Sequence, residues 1–239
     1  MREMEKAAAE EFDRWAAAGR DESMARGHRD VTEQAVADWD LGPGDRILDV
    51  GCGNGWAVRM LVDRVAGVPE GGPPSGPIGT GVDISPEMIA RARAATRGDP
   101  RFRFVVAPGD RLPFDDGEFS HVLSVESLYY YPDPAAALRE WRRVASDGAR
   151  LAVVIELYRE NPGSLLWVDA LDIDVHVLGT RELVEMAQAA GWREVRARQV
   201  RDRSPVRSRE EFTPSRYWPD YAAYLAYREA GALVVSARG

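Results

Sequence analysis

Short apolar runs alternate along the chain with segments of helical spacing. The run Ile47–Val50 suits a buried strand, and the segment from Trp56 to Val65 carries apolar residues at the spacing of a helix that buries one side. Ser85 and Asp133 each precede a proline, which is typical of the first residues of a helix. This alternation predicts an α/β fold, a doubly wound and mainly parallel sheet. The strands predicted first are Arg46–Val50, Gly79–Ile84, Phe102–Ala107, His121–Val125 and Arg150–Glu156.

The first forty residues depart from this alternation. Residues from about Glu3 to Ala18 and from about Val31 to Trp39 are rich in helix formers with spaced apolar positions. They predict a helical cap over residues 1–40, followed by one domain over residues 41–239. Within that domain the proline- and glycine-rich stretch Val68–Pro77 is predicted to be a surface loop.

The pattern changes again after Glu156. A helix is predicted from Thr180 to Ala190, followed by a strand that begins at Trp192 and by a last strand, Ala232–Arg238. The segment at about 203–230 is far too long for a tight hairpin, so an insert is predicted there. Its tyrosines are close to helical spacing, and packing of a helix on the sheet accounts for most of them. The others are predicted to form a lid that closes over the acceptor.

Charge and cysteine content narrow the functional classes. The 239 residues contain 31 Lys and Arg against 39 Asp and Glu, a net charge of -8 that disfavours a nucleic acid partner. No apolar run approaches bilayer length and no signal peptide is recognisable, so we expect a cytoplasmic protein without a membrane partner. The single cysteine, Cys52, excludes a disulfide within the chain, and no metal site is predicted.

Three glycines follow the first strand at every second position. Gly51, Gly53 and Gly55 form G-x-G-x-G, whereas dinucleotide-binding enzymes favour G-x-G-x-x-G. Asp49, two residues earlier, would repel a pyrophosphate but attract a ligand with an ammonium group, such as S-adenosylmethionine. Asp83 ends the second strand, where a carboxylate can accept both hydrogen bonds of a ribose diol.

Four segments, in order, resemble one known family. ILDVGCGNG, GVDISPEMIARAR, LPFDDGEFSHVLSVESLYYYPDPAAALREWRRV and RLAVVIE are similar to the Rossmann-like (class I) S-adenosylmethionine-dependent methyltransferases, in their small-molecule, type 11-like branch. The resemblance implies a seven-stranded sheet with an antiparallel last strand and S-adenosylmethionine as cofactor, with S-adenosylhomocysteine as product. It also implies a cofactor site formed by Asp49, Gly51, Cys52, Gly53, Asn54, Gly55, Asp83, Ile84, Met88 and Val125. In that site Asp49 and the three glycines surround the methionine part, Asp83 binds the ribose, and Ile84 and Met88 lie near the adenine.

The adenine end of that site departs from the family pattern. Pro108 stands where an aspartate is common, and Gly109, Asp110 and Arg111 follow it. Two arrangements stay open: Asp110 accepts a hydrogen bond from the adenine amino group, or the Gly109 or Asp110 amide donates to the ring.

Candidate catalytic residues lie just past the fourth strand. Glu126, Tyr129 and Tyr130 are placed to meet an acceptor, although similar enzymes often have a histidine where these tyrosines stand. His28 is predicted between the two cap helices, where a role over the cofactor and a surface role are equally compatible with the sequence. In DALDIDVHV, alternation would place Asp172, Asp174 and His176 on one strand face. A solvated strand face or an irregular loop is favoured over a metal set or an acidic pocket with a base, and His176 is kept as a pocket candidate.

These features predict methyl transfer to an O, N or C atom of a small-molecule acceptor, mainly by proximity and orientation. The family's tetrapeptide for holding a flipped base is missing after the fourth strand, where SVES stands. The alternative is a non-catalytic regulatory or partner protein that binds S-adenosylmethionine or S-adenosylhomocysteine. The oligomeric state is predicted to be a monomer or a homodimer.

Overall fold

Seven strands and eight helices make up the chain, as seen in a computed structural model that describes residues 2–65, 67 and 76–239. Most of the predicted loop Val68–Pro77 lies outside the described residues. The strands are β1 Ile47–Val50, β2 Gly79–Asp83, β3 Phe102–Val106, β4 Phe119–Val125, β5 Ala145–Ile155, β6 Arg193–Val200 and β7 Ala232–Arg238. The helices are α1 Glu3–Ala17, α2 Arg20–Ala35, α3 Trp56–Val62, α4 Pro86–Thr96, α5 Pro134–Val144, α6 Pro162–Leu165, α7 Thr180–Ala189 and α8 Tyr221–Ala230.

All seven strands form one sheet in the order β3-β2-β1-β4-β5-β7-β6. Only β7 runs antiparallel to its neighbours, β5 and β6. The predicted fold class is therefore confirmed. Because the chain moves outward in opposite directions from β1 and β4, a crevice forms at the carboxyl ends of these two strands, where ligands bind in doubly wound sheets.

Helices cover both faces of the sheet and create two apolar layers. On one face Trp141 and Leu138 of α5 pack with residues of β4 and β5, and on the other Leu61 of α3 packs with Ile47 of β1. Trp141, Leu138 and Leu61 are fully buried. Burial on both faces explains why the second half of β5 is an uninterrupted apolar run.

The cap differs from its prediction in the second helix. That helix, α2, covers Arg20–Ala35 rather than Val31–Trp39, and Gly19 separates it from α1 with a left-handed φ of 68°. The prediction was wrong because the first turns of α2 bury few apolar side chains, so they lack the periodicity that marks a helix. His28 therefore lies within α2 and not between two helices.

The segment through Asp172, Asp174 and His176 is an irregular loop, one of the two favoured alternatives, and not a strand. Both aspartates are exposed, and the His176 amide donates a hydrogen bond to the Tyr129 carbonyl. In the insert region only α8 is helical, so Tyr217 lies outside the predicted helical spacing. In the described part of the chain, no helix combines the length and apolar character that crossing a bilayer requires.

Candidate active site

The three glycines after β1 all have left-handed backbone, with φ of 78°, 52° and 73° at Gly51, Gly53 and Gly55. Their surroundings differ. A Cβ at Gly51 would lie 2.3 Å from the Ser127 Cβ, and a Cβ at Gly55 would lie 2.7 Å from the Phe104 ring. A Cβ at Gly53 would meet only the Met88 sulfur, at 4.0 Å. Gly51 and Gly55 are therefore required by packing as well as by φ, and Gly53 keeps space free for a ligand.

Asp83 stabilises this turn from the end of β2. Its carboxylate accepts hydrogen bonds from the backbone amides of Gly53 (2.8 Å) and Ser85 (2.9 Å). Burial raises the pKa of Asp83 to about 6, against the lowering effect of these amide donors. The remaining lone pairs of this carboxylate can accept hydrogen bonds from a ligand in the adjoining cavity.

One cavity of about 950 Å³, including its open mouth, lies between the glycine turn, the carboxyl ends of the central strands and the cap. The carboxylates of Glu5, Asp83 and Glu126 reach its wall. Its wall also contains residues from α1 and α2, so the cap roofs the crevice that the sheet topology creates. Predicted site residues that line it are Gly51, Cys52, Gly53, Asn54, Asp83, Ile84, Met88, Gly109, Val125, Glu126 and Tyr130.

Four predicted cofactor residues do not line the cavity. Asp49 is buried beneath the glycine turn, and its Oδ2 has no hydrogen-bond partner among the described residues. Burial, together with Asp83, raises the pKa of Asp49 to about 7. A Cβ at Gly55 would clash with the Phe104 ring, Asp110 is buried, Arg111 is half-exposed, and none of the three contributes to the cavity wall. Their contacts with the cofactor stay predictions.

Asp110 and Arg111 connect the sheet to the first turn of α1. The Arg2 guanidinium forms an ion pair with Asp110, and the Arg111 guanidinium donates to Glu5 at 2.8 Å. Glu5 is buried, with a side chain only 3% exposed, and its pKa is lowered because the hydrogen bonds from Arg2 and Arg111 outweigh the opposing effect of burial. These pairs join the first turn of the cap to the segment that follows β3.

A second set of contacts fixes the cap over the glycine turn. Ser85, the N-cap residue of α4, donates its hydroxyl to Asp13 of α1, and Asn54 donates its side-chain amide to Asp21 of α2 at 2.9 Å. Asn54 also accepts the Trp56 amide at the start of α3, at 3.2 Å. The cofactor turn and the cap are therefore one hydrogen-bonded unit.

Glu126 contributes another acidic residue to the cavity wall. It follows β4 with a left-handed φ of 53°, and its side chain is buried. Burial raises the pKa of Glu126 to about 7, although nearby His28 lowers it. Tyr129 does not line the cavity but donates its hydroxyl to the Glu126 Oε2 at 2.7 Å.

Aromatic side chains form the wall beside Glu126. Tyr130 stacks edge-on against Phe12 of α1, with ring centroids 5.0 Å apart, and Trp15 lies 6.4 Å from the same ring. Two roles were predicted for these tyrosines, packing or facing the acceptor. Tyr129 packs in the interior, and Tyr130 lines the cavity.

His176 is not brought to this cavity, and its Nε2 is buried without a hydrogen-bond partner in the described chain. The histidine that does line the wall is His28, whose Nδ1 lies 3.2 Å from Glu156. The sequence left the role of His28 open and did not assign Glu156 to the site. The two residues lie in α2 and at the end of β5, and no local motif contains both.

Comparison with known proteins agrees with this architecture. Residues 48–153 match the family model described as a methyltransferase domain. The structure is similar, with a TM-score of 0.82 and 33% identity over 95% of this chain and 97% of the other, to the methyltransferase chain of a complex with the Haloferax volcanii Trm112 methyltransferase activator. The chain belongs to the class I S-adenosylmethionine-dependent methyltransferases. The family, the enzyme class and S-adenosylmethionine as cofactor are thereby confirmed.

Two curated relatives indicate the range of chemistry in this family. One is a 2-methyl-6-phytyl-1,4-hydroquinone methyltransferase from Synechocystis, 37% identical over 50% of this chain and 36% of the relative. The other is the 27-O-demethylrifamycin SV methyltransferase of Amycolatopsis mediterranei, 34% identical over 56% of this chain and 47% of the relative. The chain thus spans less than half the length of each relative.

Proposed function

We propose that this chain transfers a methyl group from S-adenosylmethionine to a small hydroxylated acceptor. The observation that supports this most directly is one continuous cavity, whose wall includes Gly53 and Asp83 together with Glu126 and aromatic side chains of the cap. We further propose that the protein works in the cytoplasm and acts neither on nucleic acid nor at a membrane, which its net charge of -8 supports.

The residues around the glycine turn fit the cofactor. Gly53 leaves space beside the turn, Asp83 offers carboxylate lone pairs for a ribose diol, and Ile84 and Met88 provide apolar walls for an adenine ring. When bound, S-adenosylmethionine supplies a methyl group that passes to the acceptor as the carbon–sulfur bond breaks and its electron pair stays on sulfur. The chain itself supplies alignment and exclusion of water.

Glu126 is the group proposed to take the acceptor's proton. As the acceptor oxygen forms its bond to the methyl carbon, its O–H bond breaks and the proton moves to the Glu126 carboxylate. A pKa of about 7 suits this task, because the carboxylate is ionised above that pH and still basic enough to accept a proton. Tyr129 keeps the carboxylate oriented through its 2.7 Å hydrogen bond.

The acceptor class follows from the aromatic wall beside Glu126. Phe12, Trp15 and Tyr130 offer flat apolar surfaces, which suit an aromatic body. The hydroquinone and rifamycin acceptors named for the two relatives support an acceptor that carries a ring and a hydroxyl group. We therefore propose a phenolic acceptor, methylated on oxygen, ahead of attack by nitrogen or carbon.

The test is a transfer assay with methyl-labelled S-adenosylmethionine and four probes: phenol, catechol, hydroquinone and aniline. Label in a phenolic product, lost in Glu126→Gln and retained in the surface variant Glu22→Gln, is the expected result. Label only in aniline would move the reaction to nitrogen. Binding of S-adenosylhomocysteine without any transfer to the panel would favour the non-catalytic alternative.

A protein partner is a second proposal. The similarity to the activator-bound methyltransferase extends over 95% of this chain, which supports an association with an activator of the same kind. The test is size-exclusion chromatography of this chain with Haloferax volcanii Trm112 at high salt. A shared peak supports the partnership, and separate elution with the mass of a monomer or a homodimer contradicts it.

A further inference from the structure

Three titratable side chains from distant parts of the fold meet at the acceptor end of the cavity. They are His28 of α2, Glu126 after β4 and Glu156 after β5, and one ring nitrogen and one oxygen of each carboxylate lie within 4.8 Å of one another. The two carboxylates are almost fully buried, at 7% and 2% exposure. Ionisable groups buried together at a cavity wall are typical of functional sites.

Each carboxylate of this cluster is held by further hydrogen bonds. The Tyr227 hydroxyl of α8 donates to Glu156 Oε2 at 2.6 Å, and the Glu156 backbone amide donates to Glu126 Oε1 at 2.5 Å. Tyr129 completes the set at Glu126 Oε2. The carboxylates therefore have fixed orientations before any acceptor binds.

His28 differs from its two neighbours because one ring nitrogen is left for a ligand. Nδ1 is buried and lies 3.2 Å from Glu156 Oε2, a charge contact that does not have hydrogen-bond geometry. Nε2 forms no hydrogen bond with any described residue, and the ring is part of the cavity wall. A histidine held through one nitrogen by a carboxylate presents the other nitrogen in a defined direction.

The charges around the ring favour its protonated form. Burial alone would lower the pKa of His28, but Glu156, Glu126 and Asp202 together raise it to about 9. Tyr227 also contacts this group through Glu156. At neutral pH the imidazolium is therefore a hydrogen-bond donor to the cavity, and Glu126 is the better proton acceptor.

We propose that His28 is an acceptor-binding residue: Glu156 and Tyr227 fix its ring, and its free Nε2–H donates to an acceptor oxygen beside Glu126. This inference rests on the proposed function and makes the substrate class narrower. The best acceptor carries a second oxygen next to the hydroxyl that is methylated, as catechol does, because the two oxygens can then contact His28 and Glu126 together. Glu156 is a positioning residue in this scheme.

The kinetic test compares His28→Gln with the matched control His176→Gln. For catechol, His28→Gln is expected to raise KM by roughly 10- to 100-fold with a smaller change in kcat, the loss expected for one charge-assisted hydrogen bond. For phenol, which lacks the second oxygen, KM should change much less. An unchanged KM for catechol in His28→Gln would overturn the proposal.

A spectroscopic test works even if no probe is methylated. The chain contains three histidines, so the imidazole NMR signal of His28 can be assigned by its absence in His28→Gln. In the presence of S-adenosylhomocysteine, catechol should shift the His28 signal and leave that of His176 in place. Glu156→Gln should lower the midpoint of the His28 titration by more than about one pH unit, because a unit corresponds to the loss of a close ion pair.

The outcomes separate this inference from the proposed function. Bound S-adenosylhomocysteine with a catechol-induced His28 shift but no transfer would retain the His28 assignment and contradict the transfer reaction with this acceptor. Methyl transfer to catechol without a shift of the His28 signal would support the transfer reaction and contradict the role of His28 in acceptor binding. Activity that is abolished by a chelator and restored by Mn²⁺ would overturn the hydrogen-bonding role, because the three side chains would then act as metal ligands.

Discussion

Gly53→Ala and Gly55→Ala should separate the two functions of the glycine turn. Both positions have left-handed φ, so an alanine at either costs about 1–2 kcal/mol of backbone strain. At Gly55 the added methyl would also lie 2.7 and 2.9 Å from two atoms of the Phe104 ring. That ring is buried and stacks with Phe102 at 6.2 Å, so it cannot move aside freely.

Overpacking of a well-packed core adds about 1–3 kcal/mol. Gly55→Ala should therefore lower the free energy of unfolding by roughly 2–5 kcal/mol, against about 1–2 kcal/mol for Gly53→Ala. Cofactor affinity should follow the opposite order, because a methyl group at Gly53 points into open space beside Met88 that the ligand would fill. A loss of about tenfold or more in affinity for S-adenosylhomocysteine is expected there.

The assays are urea unfolding followed by tryptophan fluorescence, and calorimetric titration with S-adenosylhomocysteine on each folded variant. The reasoning would be refuted if Gly55→Ala were no less stable than Gly53→Ala. It would also fail if a stable Gly55→Ala lost the cofactor while Gly53→Ala kept it.

Three other predictions follow from the site. Binding of S-adenosylhomocysteine should weaken as the pH falls through about 6, because protonation of Asp83 removes hydrogen-bond acceptors for the ribose diol. Calorimetry at pH 5 and pH 8 checks this, and the pH dependence should vanish in Asp83→Asn. Trp141→Phe removes the 2.8 Å hydrogen bond that the indole donates to the Gly109 carbonyl, and should cost about 1 kcal/mol of stability and weaken adenosine binding. Unchanged affinity for adenosine in this variant would show that Gly109 needs no such support. Cys52 is buried and its pKa is raised by burial, so iodoacetamide should leave the native chain unmodified and label it once in urea; fast native labelling would contradict the buried position.

The strands could be predicted from sequence because each forms a compact run of apolar residues bounded by turn residues. Helix α2 could not be delimited in the same way, since its described buried residues include Asp21 and Thr32, which carry no apolar periodicity. Tertiary contacts through polar side chains, such as the bond between Asp21 and Asn54, determine its position instead.

The two ends of the site also differ in how far the sequence predicts them. The cofactor end lies within a local motif, so Gly53 and Asp83 could be assigned from spacing alone. The acceptor end is assembled from α2, β4, β5 and α8, and the contact between His28 and Glu156 joins residues that no local pattern relates. Such a pair becomes visible only once the topology brings its elements together.

The most direct test of the account is calorimetric titration of the full chain with S-adenosylhomocysteine, compared between wild type, Asp83→Ala and Glu126→Gln. We expect one molecule bound per chain, binding lost in Asp83→Ala, and affinity in Glu126→Gln close to that of the wild type, because Glu126 lies at the acceptor end. Urea unfolding of Asp83→Ala shows whether that variant is folded. Binding by a folded Asp83→Ala with wild-type affinity, or no binding by the wild type, would contradict the assignment of this cavity to the cofactor.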